Sequence, residues 1–458
     1  MGSEWRSTTL GQVVEEGGGF IQTGPFGSQL HASDYVAKGI PTIMPANMAN
    51  NRVDITGIAR ITEEDAERLS KHIVQPDDIV YSRRGDVTLK ALIRESDEKM
   101  ICGTGCLLVR PGKGIDPKFL TYHLSSPQNQ EWIIRHAIGA TMPNLNQGIL
   151  SNVPLHVPSI SIQKAIAHIL GTLDDKIELN RQMNATLEAM AQALFQSWFV
   201  DFNPVIDNAL AAGHPIPDTL QERAAARAAL GHRRQPLPAA IQSQFPSSFV
   251  RHEEMGWVPA GWAVDTLGTI TTELRRGISP KYVDEGGVRV INQKCIRDHL
   301  VNYSLARRTD ETKVKINGRE LEVGDVLVNS TGEGTLGRVA QVLVLDETTV
   351  VDSHVTVVRS KTEIYKPYIF ARMMLTLESQ IAAMGEGSTG QTELSRANLQ
   401  AISVVIPSIE SQEWGEKYFY DIAQKVVHNS EENEKLITLR DTLLPKLLSG
   451  AVRVAAAG

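Results

Sequence analysis

Hydrophobic and polar positions along the chain change period in a fixed order, and the order occurs twice. Residues 5–150 set short apolar or alternating runs between turn signals: GIPTIM (39–44), DIVYSRRGD (78–86) and CLLVRPG (106–112). A helical stretch, PKFLTYHLSSPQNQEWIIRHAIG (117–139), follows. Residues 262–400 do the same with VRVINQKCI, GDVLVNSTGEG and VTVVRS, then KPYIFARMMLTLESQIAAMG. Strand-length runs bounded by Gly, Asn and Ser, followed by a 3.6-residue period, predict an α+β domain in each half.

Each domain then runs into a long amphipathic helix. In SISIQKAIAHILGTLDDKIELNRQMNATLEAMAQALFQSWF (159–199), Ile162, Ile166, Ile169, Leu173, Ile177, Asn180, Asn184, Leu187, Ala191, Leu194 and Trp198 recur at spacings of three and four. The second copy supplies Tyr418, Ile422, Val426, Asn429, Asn433, Leu436, Leu443 and Leu447. Asn is costly in an apolar seam, but Asn facing Asn across a helix pair fixes register. Asn180, Asn184, Asn429 and Asn433 are therefore the candidate register residues of an antiparallel coiled coil; the bland alternative is two separate helices, each packed on its own domain. A helix of roughly 35–40 residues is about 55 Å long.

The two halves are copies. From Pro158 to Pro407 a gap-free offset of 249 residues also pairs Ser159 with Ser408, Gln163 with Gln412, Lys176 with Lys425, Asn180 with Asn429, Asn184 with Asn433 and Leu187 with Leu436. Upstream the match is looser, pairing Asp78 with Asp325, Gly85 with Gly332 and Arg110 with Arg359. A repeated unit this long is a whole domain plus a helix, well above a solenoid repeat. The expected fold is α+β, with two mixed domains separated by two long helices in a pseudo-two-fold repeat. Its parts are a first domain at 1–157, a central helix at 158–200, a linker at 201–260, a second domain at 261–406 and a distal helix at 407–458. The linker, rich in Ala and Pro with one helical patch at TLQERAAARAALG, is expected to lie on the surface.

Composition narrows the class. The 458 residues are 42% hydrophobic, enough for two or three domains with their own cores. No apolar run approaches the roughly 20 residues that span a bilayer, and MGSEWRSTTLG lacks a secretory signal's pattern, so a cytoplasmic location without membrane contact is expected. Cys102, Cys106 and Cys295 are read as buried thiols, since no Cys or His pair nearby completes a zinc set. A net charge of −7 argues against a non-specific nucleic-acid coat protein but leaves room for local basic loops.

Catalytic signatures are missing. Gly332-Glu333-Gly334-Thr335-Leu336-Gly337 matches G-x-G-x-x-G, but RVAQVLVLD, a further strand, follows where a dinucleotide site needs a helix, so the glycines are read as a turn. There is no phosphate loop, no H-E-x-x-H, no C-x-x-C and no Asn/Asp-Pro-Pro-aromatic motif. Pro76-Asp77-Asp78 is read as a turn before a strand. No cofactor or metal site is expected on the chain.

The polar loops differ between the copies. Arg pairs with guanine and Asn or Gln with adenine, while Ser, Thr and Lys hold phosphates. The candidate DNA contacts of the first copy are Ser28, Gln29, Asn47, Asn51, Arg52, Ser82, Arg83, Arg84, Asn144 and Asn146. Those of the second are Lys281, Tyr282, Asn292, Gln293, Lys294, Asn329, Ser330, Thr331, Arg338, Thr389 and Gln391. Any one of them alone reads equally well as a solvated turn residue. As a set they describe one scaffold with two differing reading surfaces.

At this point the chain resembles the specificity subunit of a type I restriction-modification system. The resemblance spans essentially the full length and rests on GPFGSQL (24–30), the domain-closing Val157-Pro158-Ser159 and Ile406-Pro407-Ser408, LFQSWFVDFNPV (194–205), MGWVPAGWAVDTLG (255–268) and LRDTLLPKLLSG (439–450). It implies two target-recognition domains, each reading one half of a bipartite asymmetric site in double-stranded DNA. Between them it implies an antiparallel coiled coil that sets the gap and docks partners. Those partners are two methyltransferase subunits, which bring S-adenosylmethionine for adenine-N6 modification, and two translocase-nuclease subunits, which use ATP and Mg2+. The second domain departs from the GPFGSQL loop, having Arg276-Gly277-Ile278-Ser279-Pro280-Lys281-Tyr282, so its half-site does not follow from the first. The rivals are a single-chain DNA methyltransferase or nuclease with an unrecognised site, and a scaffold indifferent to DNA sequence.

Overall fold

The structure, a computed structural model, describes residues 5–139, 142–233, 236–332, 334–386 and 392–455. It divides into two compact units, Met1–Leu179 with Glu432–Gly458, and Asn180–Glu431.

The first unit is built on an antiparallel sheet of β1 (Phe20–Thr23), β2 (Ile79–Ser82), β3 (Lys90–Leu92) and β4 (Cys106–Arg110), in the order β1-β4-β2-β3. Side chains alternate across a strand, and β4 serves a separate core on each face. Leu107 and Val109 pack with Ile79, Tyr81, Phe119 and Leu120. Cys106 and Leu108 pack with Val80, Ala91, Ile43 and Met48. Burial on both faces explains why CLLVR is a continuous apolar run rather than an alternating one. A smaller sheet follows the order 101–102, 40–43, 60–61, 35–36, with its first pair parallel.

A long helix, α1 (Ile160–Phe195), leaves this domain. The second unit repeats the architecture with β5 (Thr271–Arg276), β6 (Val326–Asn329), β7 (Val339–Gln341) and β8 (Val355–Ser360), in the order β5-β8-β6-β7. Its smaller sheet runs 349–351, 288–291, 307–309, 282–283, again with its first pair parallel. A second long helix, α2 (Ile409–Leu448), follows. The duplication read from the sequence is therefore a duplication of topology.

Individual interactions repeat as well. Arg110 makes a two-pronged ion pair with buried Asp78 at 2.7 and 2.6 Å, and Arg359 does so with buried Asp325 at 2.6 and 2.8 Å. Each aspartate also accepts the backbone N–H three residues before it, so both form turns before a strand. Gln163 accepts from Asp116 N and donates to Pro158 O, and Gln412 accepts from Lys366 N and donates to Pro407 O. A buried amide with both ends paired fixes where each long helix starts.

Within each unit, segments of α1 and α2 run antiparallel. In the first, Arg440 donates to Asp174 at 2.8 Å, Lys176 pairs with Glu432 at 3.0 Å, and Asn433 Nδ2 donates to Ile177 O at 3.3 Å. In the second, Asn429 Nδ2 donates to Asn184 Oδ1 at 2.8 Å, while Asn184 Nδ2 reaches Val426 O and Ser430 Oγ. Asn180 is buried too. Asn184, Asn429 and Asn433 thus make hydrogen bonds between the helix segments within a unit. Ile169, assigned to the seam, is 36% exposed while Leu170 is buried. Here α1 packs on its own domain through Phe119 and Leu120 as well as on Leu444 and Leu447, which turns the buried stripe.

Residues 201–260 are not the surface linker expected. They form helices at Asn203–Ala212, Asp218–Ala229 and Ala239–Gln242 and a hairpin of Phe249–His252 with Gly256–Pro259. Phe202, Val205, Ile241 and Phe245 join Trp198, Phe199 and Trp262 in the core of the second unit. Its Ala and Pro content reads as a linker, but aromatic residues spaced far apart in sequence converge there. The helical stretch at 117–139 also divides, into Pro117–Leu124 and Pro127–His136, because Ser126 caps a new helix with Pro at its first position.

Candidate nucleic-acid interface

In both units the candidate loops leave one end of the main sheet. β1 ends and β4 begins beside Ser82, so loops 24–30, 83–89 and 103–105 emerge together. Backbone pairing adds a fourth segment: Arg84 bridges Asn144, Leu145 N donates to Arg83 O at 2.8 Å, and Arg83 N donates to Gly105 O at 2.8 Å. Gly24 N donates to Cys106 O, and a Cβ at Gly24 would stand 2.2 Å from Gly103 O, so only glycine lets these two turns approach. Gly103 N in turn bonds Ile43 O and draws in the turn holding Asn47.

The second unit assembles the same way. Thr331 bridges Glu393, Leu394 N donates to Ser330 O at 2.8 Å, Ser330 N donates to His354 O at 2.8 Å, and Gly277 N donates to Val355 O at 3.1 Å. Gln293 joins through a 3.0 Å bond to the Thr331 hydroxyl, which also meets His354 Nδ1 at 2.8 Å. Gly332, Gly334 and Gly337 all have positive φ, at 101°, 72° and 87°, the conformation of the glycine-rich turn expected there.

Burial sorts the candidates. Asn47, Ser82, Asn329 and Ser330 are buried and hydrogen-bonded within the protein, although Asn329 Oδ1 has no partner. Asn47 accepts from Met44 N and donates to Asp54 O, and Ser82 donates to Arg84 O. Asn329 Nδ2 donates to Gln293 O, and the Ser330 hydroxyl meets that of Thr356. These four shape the loops from below. Ser28, Arg84, Asn146, Lys281 and Lys294 are exposed; Gln29, Arg83, Asn144, Tyr282, Asn292, Gln293, Thr331 and Arg338 are half-buried. Several already hold the loop: Gln29 Oε1 accepts from Phe26 N, Asn146 caps Gln147–Ser151, Asn292 accepts from Lys294 N, and Arg338 donates to Gly334 O. Arg307 lies 3.4 Å over the Tyr282 ring, and burial first of all raises the pKa of that phenol. Thr389 and Gln391 lie outside the described residues.

Two candidates are not brought to the cluster. Asn51 and Arg52 sit on a hairpin against the opposite end of β3, where Leu92 N donates to Asn51 O. Asn51 accepts from Ser125, and Arg52 pairs with Asp175 at 2.9 Å. The matching hairpin of the second unit places His299 3.0 Å from Glu378. Both tips turn through paired residues of positive φ, Asn50 and Asn51 or Asp298 and His299. A type I′ turn needs that conformation, so Asn here satisfies backbone chemistry.

Residue type alone did not single out other side chains at the rim. Phe26 is 55% exposed and Met142 63%, and apolar groups of this kind can contact a thymine methyl. His354 is exposed and held by Thr331. Beneath the first cluster Lys90 is buried over the Tyr81 ring, and burial pushes its ammonium pKa down to about 7. Val339 and Val328 take the equivalent cross-strand positions in the second unit.

Cys102, Cys106 and Cys295 are buried free thiols, and burial raises the pKa of Cys106 to about 12. Among the described residues no group of three or more His, Cys, Asp or Glu is placed to hold a metal ion. Among the same residues no helix is long and apolar enough to cross a membrane.

Comparison with known proteins agrees with this architecture. The family model described as "Type I restriction modification DNA specificity domain" matches residues 2–189. The type I restriction enzyme HindI specificity subunit of Haemophilus influenzae is 28% identical over 85% of this chain and 89% of its own. The MjaIX specificity subunit of Methanocaldococcus jannaschii is 23% identical over 92% and 88%. A crystal structure of the type I restriction-modification S subunit from M. genitalium shares the fold, with a TM-score of 0.55, 17% identity and coverage of 97% and 96%. The chain, with its twice-built loop clusters and long helices, matches the type I restriction modification DNA specificity domain over residues 2–189 and is similar to type I specificity subunits over most of its length.

Proposed function

We propose that each unit reads one half of a bipartite, asymmetric site in double-stranded DNA through the loops at the end of its main sheet. The long helices act as an antiparallel coiled coil that spaces the two readers and docks partner subunits. Two modification subunits, carrying S-adenosylmethionine, methylate adenine N6 in each half-site. Two restriction subunits supply ATP- and Mg2+-dependent translocation and cleavage, and the complex works in the cytoplasm.

One observation carries the reading: the same backbone pairing builds the loop cluster twice while the side chains on it differ. Arg84 and Asn144 are paired in one unit, Thr331 and Glu393 in the other. A pure scaffold has no use for a conserved loop frame with divergent polar chemistry, whereas a reader of two unlike half-sites needs both.

Single-molecule sequencing of DNA from cells carrying this chain with its neighbouring methyltransferase tests the proposal. A split motif with N6-methyladenine in each half, absent with the methyltransferase alone, is expected. A stable complex that produces no motif favours the sequence-indifferent scaffold, and DNA methylation or cleavage by the purified chain alone favours the single-chain enzyme.

A further inference from the structure

Asn144 and Glu393 hold the same place in their units. Each bridges the loop after the second strand, at Arg84 or Thr331. Each precedes a buried leucine, Leu145 or Leu394, whose N–H donates to that loop. The residue after the leucine, Asn146 or Ser395, caps a five-residue helix. At this shared position one unit carries an amide and the other a carboxylate.

Glu393 is a costly residue for a surface that meets a polyanion. Its side chain is 62% exposed, and it lies directly opposite Glu386 across a two-residue ribbon. Like charges facing each other on paired strands are destabilising, and phosphates repel a carboxylate. The neighbours offset both effects. Arg276 donates to the Glu393 carboxylate and, at 2.8 Å, to Leu394 O; Asn398 donates to Glu386 at 2.7 Å. Arg276, Glu386, Glu393, Leu394, Ser395 and Arg396 line an open cleft of roughly 600 Å³.

A carboxylate has acceptors and no donor. In the major groove, cytosine presents its N4 amino group as a donor, whereas adenine presents N6 beside the N7 acceptor, which calls for the paired donor and acceptor of Asn or Gln. We propose that Glu393 is a specificity-determining residue of the second unit that reads cytosine through its N4 amino group, with Arg276 as the positioning residue that aims it. Asn144, at the same place in the first unit, reads adenine. This inference rests on the half-site reading proposed above.

The test is Glu393→Gln in the full chain, co-expressed with the methyltransferase and read out by single-molecule methylation sequencing beside the unaltered chain. One cytosine of the second half is expected to give way to adenine or to lose its preference, by roughly ten-fold or more, with the first half unchanged. Arg276→Gln is expected to weaken the same cytosine without substituting another letter, and Arg276→Lys to restore it in part. An unaltered second half in an assembled Glu393→Gln complex overturns the inference, as does a change in the first half. If the Glu393→Gln chain does not assemble, Asn144→Glu decides: adenine yielding to cytosine at one position of the first half supports the inference, and an unchanged letter overturns it. If the unaltered chain directs no split motif, the half-site reading itself fails, which keeps the two failures distinct.

Discussion

Pairing of Asn184 with Asn429 makes a prediction whose sign depends on how many partners are changed. Asn429 is 1% exposed, and its Nδ2 donates to Asn184 Oδ1 at 2.8 Å. Asn184 is half-buried. Replacing Asn184 with Leu strands the Asn429 donor in an apolar setting, at a cost of about 1–3 kcal/mol. Replacing both with Leu removes the donor and the acceptor together and adds apolar contact, so the double variant is expected to be near neutral or more stable than the parent. The coupling between the two changes is therefore opposite in sign to their separate costs and about equal in size to their sum. Urea unfolding followed by tryptophan fluorescence is a suitable assay, because Trp198, Trp262 and Trp414 all sit in or against the core of this unit. At a slope of about 2–3 kcal/mol per molar urea, the single variant should unfold about 0.5–1 M earlier. A double variant destabilised by the sum of the two single changes would refute the reasoning, because the amides would then not be acting on each other.

Histidine burial gives the two units opposite responses to mild acid. Burial, with Lys71 nearby, lowers the pKa of His72 to about 4, and burial with His156 nearby lowers that of His123 to about 4. Their stabilisation is complete above about pH 6.5 and is lost as pH falls toward 4, at about 2 kcal/mol each by pH 5. His299 runs the other way: its hydrogen bond to Glu378, with Glu188 also near, raises its pKa against the effects of burial and Arg372. Its contribution is present below about pH 6.5 and lost as pH rises through the raised value. Hydrogen exchange at pH 7.5 and 5, corrected for intrinsic rates, should show protection lost first around residues 72 and 123; equal loss in both units would contradict this. Gly24→Ala drives a Cβ to 2.2 Å from Gly103 O, and methylation sequencing should show the first half-site letters blurred and the second intact. Inserting four helical residues near Arg181 lengthens α1 by about 6 Å. The methylated motif should then keep its half-site letters and change its gap by roughly one or two base pairs; altered letters would count against the division between readers and spacer.

Much of the architecture was legible because it rests on periodicity and repetition. Period-two runs joined to period-3.6 runs, twice over at a constant offset, determined two α+β domains and two long helices. Asn184, Asn429 and Asn433 stood out in the pattern because a polar residue inside an apolar stripe has few other uses, and each hydrogen-bonds to the other long helix within its unit. The paired Asp78 and Arg110, Asp325 and Arg359 were visible as repeated positions, although their mutual contact was not. Tertiary structure decided what residue types cannot express. Ser82 and Arg84 sit two apart, yet Ser82 closes a strand and is buried under the loop while Arg84 is exposed on it, because neighbours far away in sequence close over the first. Asn51 and Arg52 looked like base readers by chemistry, but their hairpin turns toward Ser125 and Asp175. Residues 201–260 looked like a tether until Phe202 and Phe245 met Trp198 and Trp262. That Asn144 bridges Arg84 and Glu393 bridges Thr331 likewise came only from backbone pairing. Local pattern determines which element forms and which face is apolar. Where a loop side chain ends up depends on contacts between segments that the sequence keeps apart.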